Sequence, residues 1–207
     1  MTSENPFSFF DKIYCINRAS RTDRWGKSLL EFQKLNLTVE RFNAIEGGAK
    51  GCMLSHINII RQARENRYRR VLVLEDDVEF LVTDLDYYYQ VFKTIEFMHW
   101  HLLYLGANVN EKLKRKNEYL FTAKSTLCLH AVAYNETIFN QIIIDARTGK
   151  IERSKFIDSY LLGKVQSKQC SFITSQFCAT QRPDYSDIEN YPVNYSDIRE
   201  KFQRMTS

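Results

Sequence analysis

The most chemically pointed stretch of the chain is Glu75-Asp76-Asp77, three adjacent carboxylates that end the apolar run Val71-Leu72-Val73-Leu74. Along an extended backbone, side chains alternate between faces, so Glu75 and Asp77 point one way and Asp76 the other. Two hard oxygen donors on one face suit Mg²⁺ or Mn²⁺ carrying a diphosphate, whereas the plainer description is a strand end running into a solvated acidic turn. Arg18, Arg21 and Arg24 form a second group. Guanidinium groups bind phosphate through paired hydrogen bonds, although arginines at this spacing also suit a solvated helix start. His99 and His101 would share a strand face with ligand-like spacing, but no acidic residue accompanies them in sequence, and they are set aside.

The elements that must position these groups follow from periodicity. Ile13 to Ile16 reads as a strand, and residues 17–20 as a polar loop. Ser20 and Asp23 resemble a capping box opening a helix that carries Trp25, Leu29 and Phe32. Residues 38–44 suggest a second strand that ends at the Gly47-Gly48 turn, which completes a βαβ unit. A helix from Gly51, with Met53, Leu54, Ile57, Ile60 and Ala63 on one side, feeds the Val71–Leu74 run. Such an unbroken apolar run is typical of a parallel strand covered on both faces. Residues 86–97 read as a helix, 100–105 and 127–134 as strands, and 135–146 as a helix capped by Asn135. The architecture expected is α/β, an open, mostly parallel, twisted sheet with helices on both faces. In such sheets ligands bind beyond the carboxyl ends of the strands, where residues 17–24, 44–55 and 75–80 would converge.

Composition narrows the class. The chain has 207 residues, 44% hydrophobic and 26% charged, which fits one sizeable domain. Its net charge of +4 is small for a nucleic-acid binder, despite the basic stretch from Arg61 to Arg70 and the Tyr87-Tyr88-Tyr89 run, and it suits an anionic small substrate. Five cysteines without C-x-x-C spacing are expected to be reduced and mostly buried. Residues 1–10 carry neither a basic leader nor a long apolar stretch, so a cytoplasmic chain without a transmembrane segment is the expectation, with peripheral membrane association left open.

Several segments taken together resemble glycosyltransferase family 25, the group of lipopolysaccharide and procollagen galactosyltransferases. They are Ile16-Asn17-Arg18 with Arg21 and Arg24, Phe42-Asn43-Ala44-Ile45, Gly51-Cys52-Met53-Leu54-Ser55-His56, and Leu72 through Val78. Weaker echoes run through Leu129-His130-Ala131, Phe156-Ile157-Asp158 and Tyr185-Ser186-Asp187-Ile188. The resemblance implies a GT-A fold and inverting transfer of a hexose, galactose or glucose, from a UDP-sugar to a hydroxyl of a glycan, lipopolysaccharide or protein. It also implies Mn²⁺ or Mg²⁺ as cofactor. Glu75-x-Asp77 would be a DXD-type motif, with Asp77 and Glu75 on the metal and His130 as a third ligand or a hydrogen-bonded core histidine. Asn17, Arg18, Arg21, Arg24, Ala44, Ser55, His56, Glu75 and Asp76 would line the donor side. Asp158 would be the general base, and Asp187 would face the acceptor. The donor-binding half would span about 10–110 and the acceptor side about 111–190, followed by a loose tail. The segment between the Ala-Ile and Gly-Cys motifs, residues 46–50, is short for the family. A catalytically silent glycan- or nucleotide-binding domain, or a nucleotidyltransferase, is the alternative; the latter usually has a Gly-rich phosphate loop, which is missing here.

Overall fold

The computed structural model describes residues 5–186 and 191–206. In chain order β1 (Lys12–Asn17), α1 (Thr22–Lys34), β2 (Glu40–Asn43), α2 (Gly48–Glu65) and β3 (Arg70–Glu75) alternate as the periodicity predicts. They are followed by β4 (Val78–Phe80), α3 (Leu85–Glu96), β5 (Leu102–Tyr104), β6 (Asn108–Val109), β7 (Lys114–Arg115), β8 (Leu120–Thr122) and β9 (Thr126–Leu127). The remainder comprises β10 (Ala131–Asn135), α4 (Glu136–Arg147), α5 (Ile157–Lys164), β11 (Ser171–Thr174), β12 (Ala179–Gln181), β13 (Asp184–Ser186), β14 (Tyr191–Val193) and α6 (Ser196–Thr206).

Eight strands form the central sheet in the order β2-β1-β3-β10-β5-β11-β8-β7. All run one way except β10 and β8. Both faces are dry. Tyr14, Ile16, Val71 and Val73 pack on one side against Met53, Ile57 and Ile60 of α2 and Ile138 and Ile142 of α4. Their neighbours Ile13, Cys15, Leu72 and Leu74 pack on the other against Phe32, Tyr88, Val91 and Phe92. Strand alternation with cover on both faces is what permits an unbroken Val/Leu run, each side chain contributing about 1.5–3 kcal/mol on burial.

Several elements depart from the expectations above. Ser20 does not cap α1: Arg21 occupies the cap position without a capping side chain, and it holds Asp23 through its Nε at 3.0 Å. Leu29 and Leu30 are exposed, while Arg24, Ser28 and Glu31 face inward, because α1 lies over the acidic turn and must satisfy polar atoms there. Ser28 Oγ donates to the Asp76 carbonyl at 2.9 Å, and Glu31 accepts from the Phe80 amide at 2.9 Å. The anticipated strand over 127–134 breaks at Cys128, whose φ of +69° lies in the left-handed region, so His130 precedes β10 instead of lying within it. Asn135 caps α4 as expected, accepting from the Thr137 amide at 3.1 Å. The C-terminal end, expected to be loose, docks α6 through buried Ile198 and Phe202.

Candidate active site

The carboxyl ends of β1, β2 and β3 open onto a cleft of about 420 Å³. Arg18, Arg24, Ala44, Glu75, Asp76 and Asp77 lie on its wall, as the topology predicted, and Asp158, expected from the resemblance, lies there too. Strand geometry stops at Glu75, and Asp76-Asp77 form a turn, yet Glu75 and Asp77 still share a side. Gln181 Nε2 lies 3.5 Å from Glu75 Oε2 and 3.3 Å from Asp77 Oδ2. Asp76 points back into the protein, where Oδ2 accepts from Asn17 Nδ2 at 2.6 Å. Arg24 bridges the two aspartates, with Nη1 2.9 Å from Asp76 Oδ1 and Nη2 2.9 Å from Asp77 Oδ2.

Burial of the carboxyls dominates the electrostatics. Burial and the nearby Asp77 carboxylate push the Glu75 carboxyl up to about 8, against the pull of Arg24. Its side chain keeps 23% exposure at the cleft, so water tempers that rise. Burial lifts Asp76 to about 6, opposed by Arg24 and by the Asn17 hydrogen bond. Asp77 Oδ1 is buried with no hydrogen-bond partner among the described residues. An orphaned carboxylate oxygen beside a carboxyl held up by burial and by its acidic neighbour is a donor set that a hard divalent cation would satisfy. The residues therefore fit the metal that the resemblance implies.

Other predicted residues stand behind the wall. Asn17 is saturated: its amide nitrogen donates to Asp76 and to the Arg21 carbonyl, and its Oδ1 accepts from Arg41 Nε at 2.9 Å. Arg21 pairs with Asp23 and reaches Asp184 at 3.7 Å. Ser55 is fully buried, accepting from the Ile45 amide at 2.9 Å and donating to the Gly51 carbonyl at 2.8 Å, so it pins the loop to its helix. His56 is buried beside the Tyr134 hydroxyl at 3.0 Å, its Nε2 4.0 Å from Glu75; burial lowers it to about 4, and it stays neutral. His130 is also buried, with Nε2 donating to the Ala179 carbonyl at 3.1 Å and Nδ1 without a hydrogen-bond partner among the described residues. Asp158 sits in the first turn of α5, where its Oδ1 accepts from the Ser159 amide at 2.7 Å. Asp187 lies outside the described residues.

Three glycines explain how the short 46–50 segment works. Gly47 and Gly48 take positive φ values of +121° and +56° at the head of α2. A Cβ on Gly51 would lie 2.0 Å from the Ile45 carbonyl oxygen, so only glycine allows the loop to lie against the helix. Sequence reasoning missed Gln181, Arg182 and Asp184, and no motif announced them. Arg182 donates to the carbonyls of Val78 at 2.6 Å and Asp76 at 2.5 Å, clamping the acidic turn from about a hundred residues away in the chain. Asp184 gathers Arg21, Arg24 and Lys27 within 4.0 Å.

Residues 45–147 match the family model described as glycosyltransferase family 25, LPS biosynthesis protein. A curated protein of Anopheles gambiae, named glycosyltransferase 25 family member, is 34% identical over 98 residues. That alignment covers 33% of this chain and only 17% of the relative. Among solved structures, a glycosyltransferase involved in glycosylation of the major capsid of PBCV-1 has a TM-score of 0.51 at 9% identity, covering 94% of this chain and 97% of its own. A197 from STIV has a TM-score of 0.50 at 12% identity, covering 88% and 92%. At such identities the likeness concerns fold alone, and the fold is GT-A-like.

Proposed function

Because this chain belongs to glycosyltransferase family 25, we propose that it moves a hexose, galactose or glucose, from a UDP-sugar to a hydroxyl of a glycan, lipopolysaccharide or hydroxylated protein, with inversion. One observation carries the reading: Glu75 and the unpartnered Asp77 Oδ1 meet in a cleft that Arg18 and Asp158 also line. Mn²⁺, or Mg²⁺ in its place, would be held by Asp77 and Glu75; His130, buried behind the wall with its Nε2 on the Ala179 carbonyl, is the hydrogen-bonded core histidine of the two expectations. When bound, the cation supplies positive charge to a departing diphosphate.

The chain's own residues do the rest. Arg18 contributes a guanidinium at the cleft for the diphosphate, at the cost of its exposed bidentate pair with Glu46, which is worth little. Arg24 neutralises Asp76 and keeps Asp77 oriented. Ala44 and Ile45, fixed through Ser55, form an apolar wall for the nucleoside. Asp158 takes the proton of the acceptor hydroxyl, and the Ser159 amide holds its carboxylate in place. No described helix is long and apolar enough to cross a membrane.

Incubation with a panel of UDP-sugars, with and without Mn²⁺, followed by measurement of UDP release, tests the proposal. Metal-dependent release from one donor, lost in Asp77→Asn, is expected. Release that ignores both the metal and Asp77→Asn, or none from any donor, would refute it.

A further inference from the structure

The amino ends of β5 and β11, at the end of the sheet opposite the cleft, carry their own cluster of donors. His99 and His101 lead into β5, and Cys170 immediately precedes β11, the parallel neighbour of β5. The two segments are tied together, the His101 amide donating to the Cys170 carbonyl at 2.7 Å. One ligand atom from each of His99, His101 and Cys170 lies within 4.8 Å of the others. Metal–nitrogen and metal–sulfur bonds of about 2.0–2.3 Å hold ligand atoms less than about 4.6 Å apart, so the three side chains need at most a small closing movement to share one ion.

The geometry points to a site for a borderline transition-metal ion of the Zn²⁺ class, with His99, His101 and Cys170 as three ligands. Two imidazoles and a thiol suit Zn²⁺ or Co²⁺, and no carboxylate in the cluster would recruit Mg²⁺ or Ca²⁺ instead. The hydrogen bonds behind His101 select its tautomer. Thr137 Oγ1 spends its only proton on the Trp100 carbonyl at 2.6 Å, so toward His101 Nδ1, at 2.9 Å, it accepts. Nδ1 therefore carries the hydrogen and Nε2 the lone pair, the way an outer partner orients a ligating imidazole. His101 is buried and cannot wander, Cys170 is half-buried, and His99 is exposed, so an ion can enter from solvent. Three protein ligands leave a fourth position for water. A bound ion would cross-link the starts of β5 and β11, at the end of the sheet remote from Glu75.

The site is independent of the transferase reading and is tested with the metal alone. Co²⁺ titrated into the reduced protein is expected to give a thiolate-to-cobalt charge-transfer band and tetrahedral d–d bands that saturate at one equivalent, displaced by Zn²⁺. The charge-transfer band should vanish in Cys170→Ser, and binding should weaken at least about tenfold in His99→Asn, a surface change that leaves the fold alone. Asp77→Asn, in the cleft, should leave the spectrum intact. Circular dichroism of each variant separates lost ligation from lost folding. A spectrum without the charge-transfer band in the folded wild type, or one that survives in folded Cys170→Ser, would overturn the assignment.

Discussion

Arg24 is the cation on which the acidic turn rests, and replacing it with methionine tests that directly. Its side chain is 9% exposed, and those of Asp76 and Asp77 are 8% and 14% exposed, so Arg24→Met leaves two poorly hydrated carboxylates without the cation that pairs with both. Breaking a buried pair by removing one partner costs about 3–5 kcal/mol. Methionine keeps most of the volume, so packing contributes little to that figure. The pH dependence separates charge from packing. Asp76 already sits at about 6, above its unfolded value of 3.8, so the wild-type fold loses some stability as pH rises through that interval. Without Arg24 the folded value climbs further, and the loss extends toward neutrality and beyond. Urea denaturation should therefore show the full deficit at about pH 8 and a clearly smaller one at about pH 5, where protonated carboxyls need no cation. A deficit below about 1 kcal/mol, or an equal deficit at both pH values, would refute the claim that Arg24 acts as a buried counter-charge.

Three further outcomes are expected. Gly51→Ala places a methyl 2.0 Å from the Ile45 carbonyl oxygen; a loss of about 1–3 kcal/mol on thermal unfolding would show that the loop is seated by that contact. Arg182→Met strips donors from the Asp76 and Val78 carbonyls and should cost about 1–3 kcal/mol for each group left unsatisfied, measured by denaturant titration; Arg182→Lys should rescue only partly, because one ammonium cannot reproduce the planar fork. Burial alone would raise Asp145, yet hydrogen bonds from Lys150 at 2.8 Å, Tyr160 at 2.8 Å and Gln141 at 3.3 Å hold it below the usual carboxylate range. The stability it adds is complete above an unfolded value near 3.9 and lost as pH falls through the lower folded value; Asp145→Asn should flatten that part of the acid-denaturation curve.

The alternating elements, the doubly covered β3 run and the acidic turn at its end were legible because they are local. Periodicity, a helix cap such as Asn135, and a loop that must follow a strand each depend on neighbours a few residues apart. The same locality misled at α1, where helical spacing grouped Leu29 with Trp25 and Phe32, whereas the turn that the helix covers draws Arg24, Ser28 and Glu31 inward and leaves Leu29 exposed. It also misled at the other end of the chain, where polar composition hid the two apolar anchors of α6, Ile198 and Phe202. What only the tertiary structure decided is which distant groups complete each site. Gln181, Arg182 and Asp184 reach Glu75, Asp76 and Asp77 because β12 pairs with β4, and Cys170 reaches His99 and His101 because β11 pairs with β5. Those meetings are set by strand pairing across the sheet. Charge, hydrogen bonding and ligation act over a few ångströms of space, and along the chain these partners are separated by dozens of residues that carry no trace of the contact.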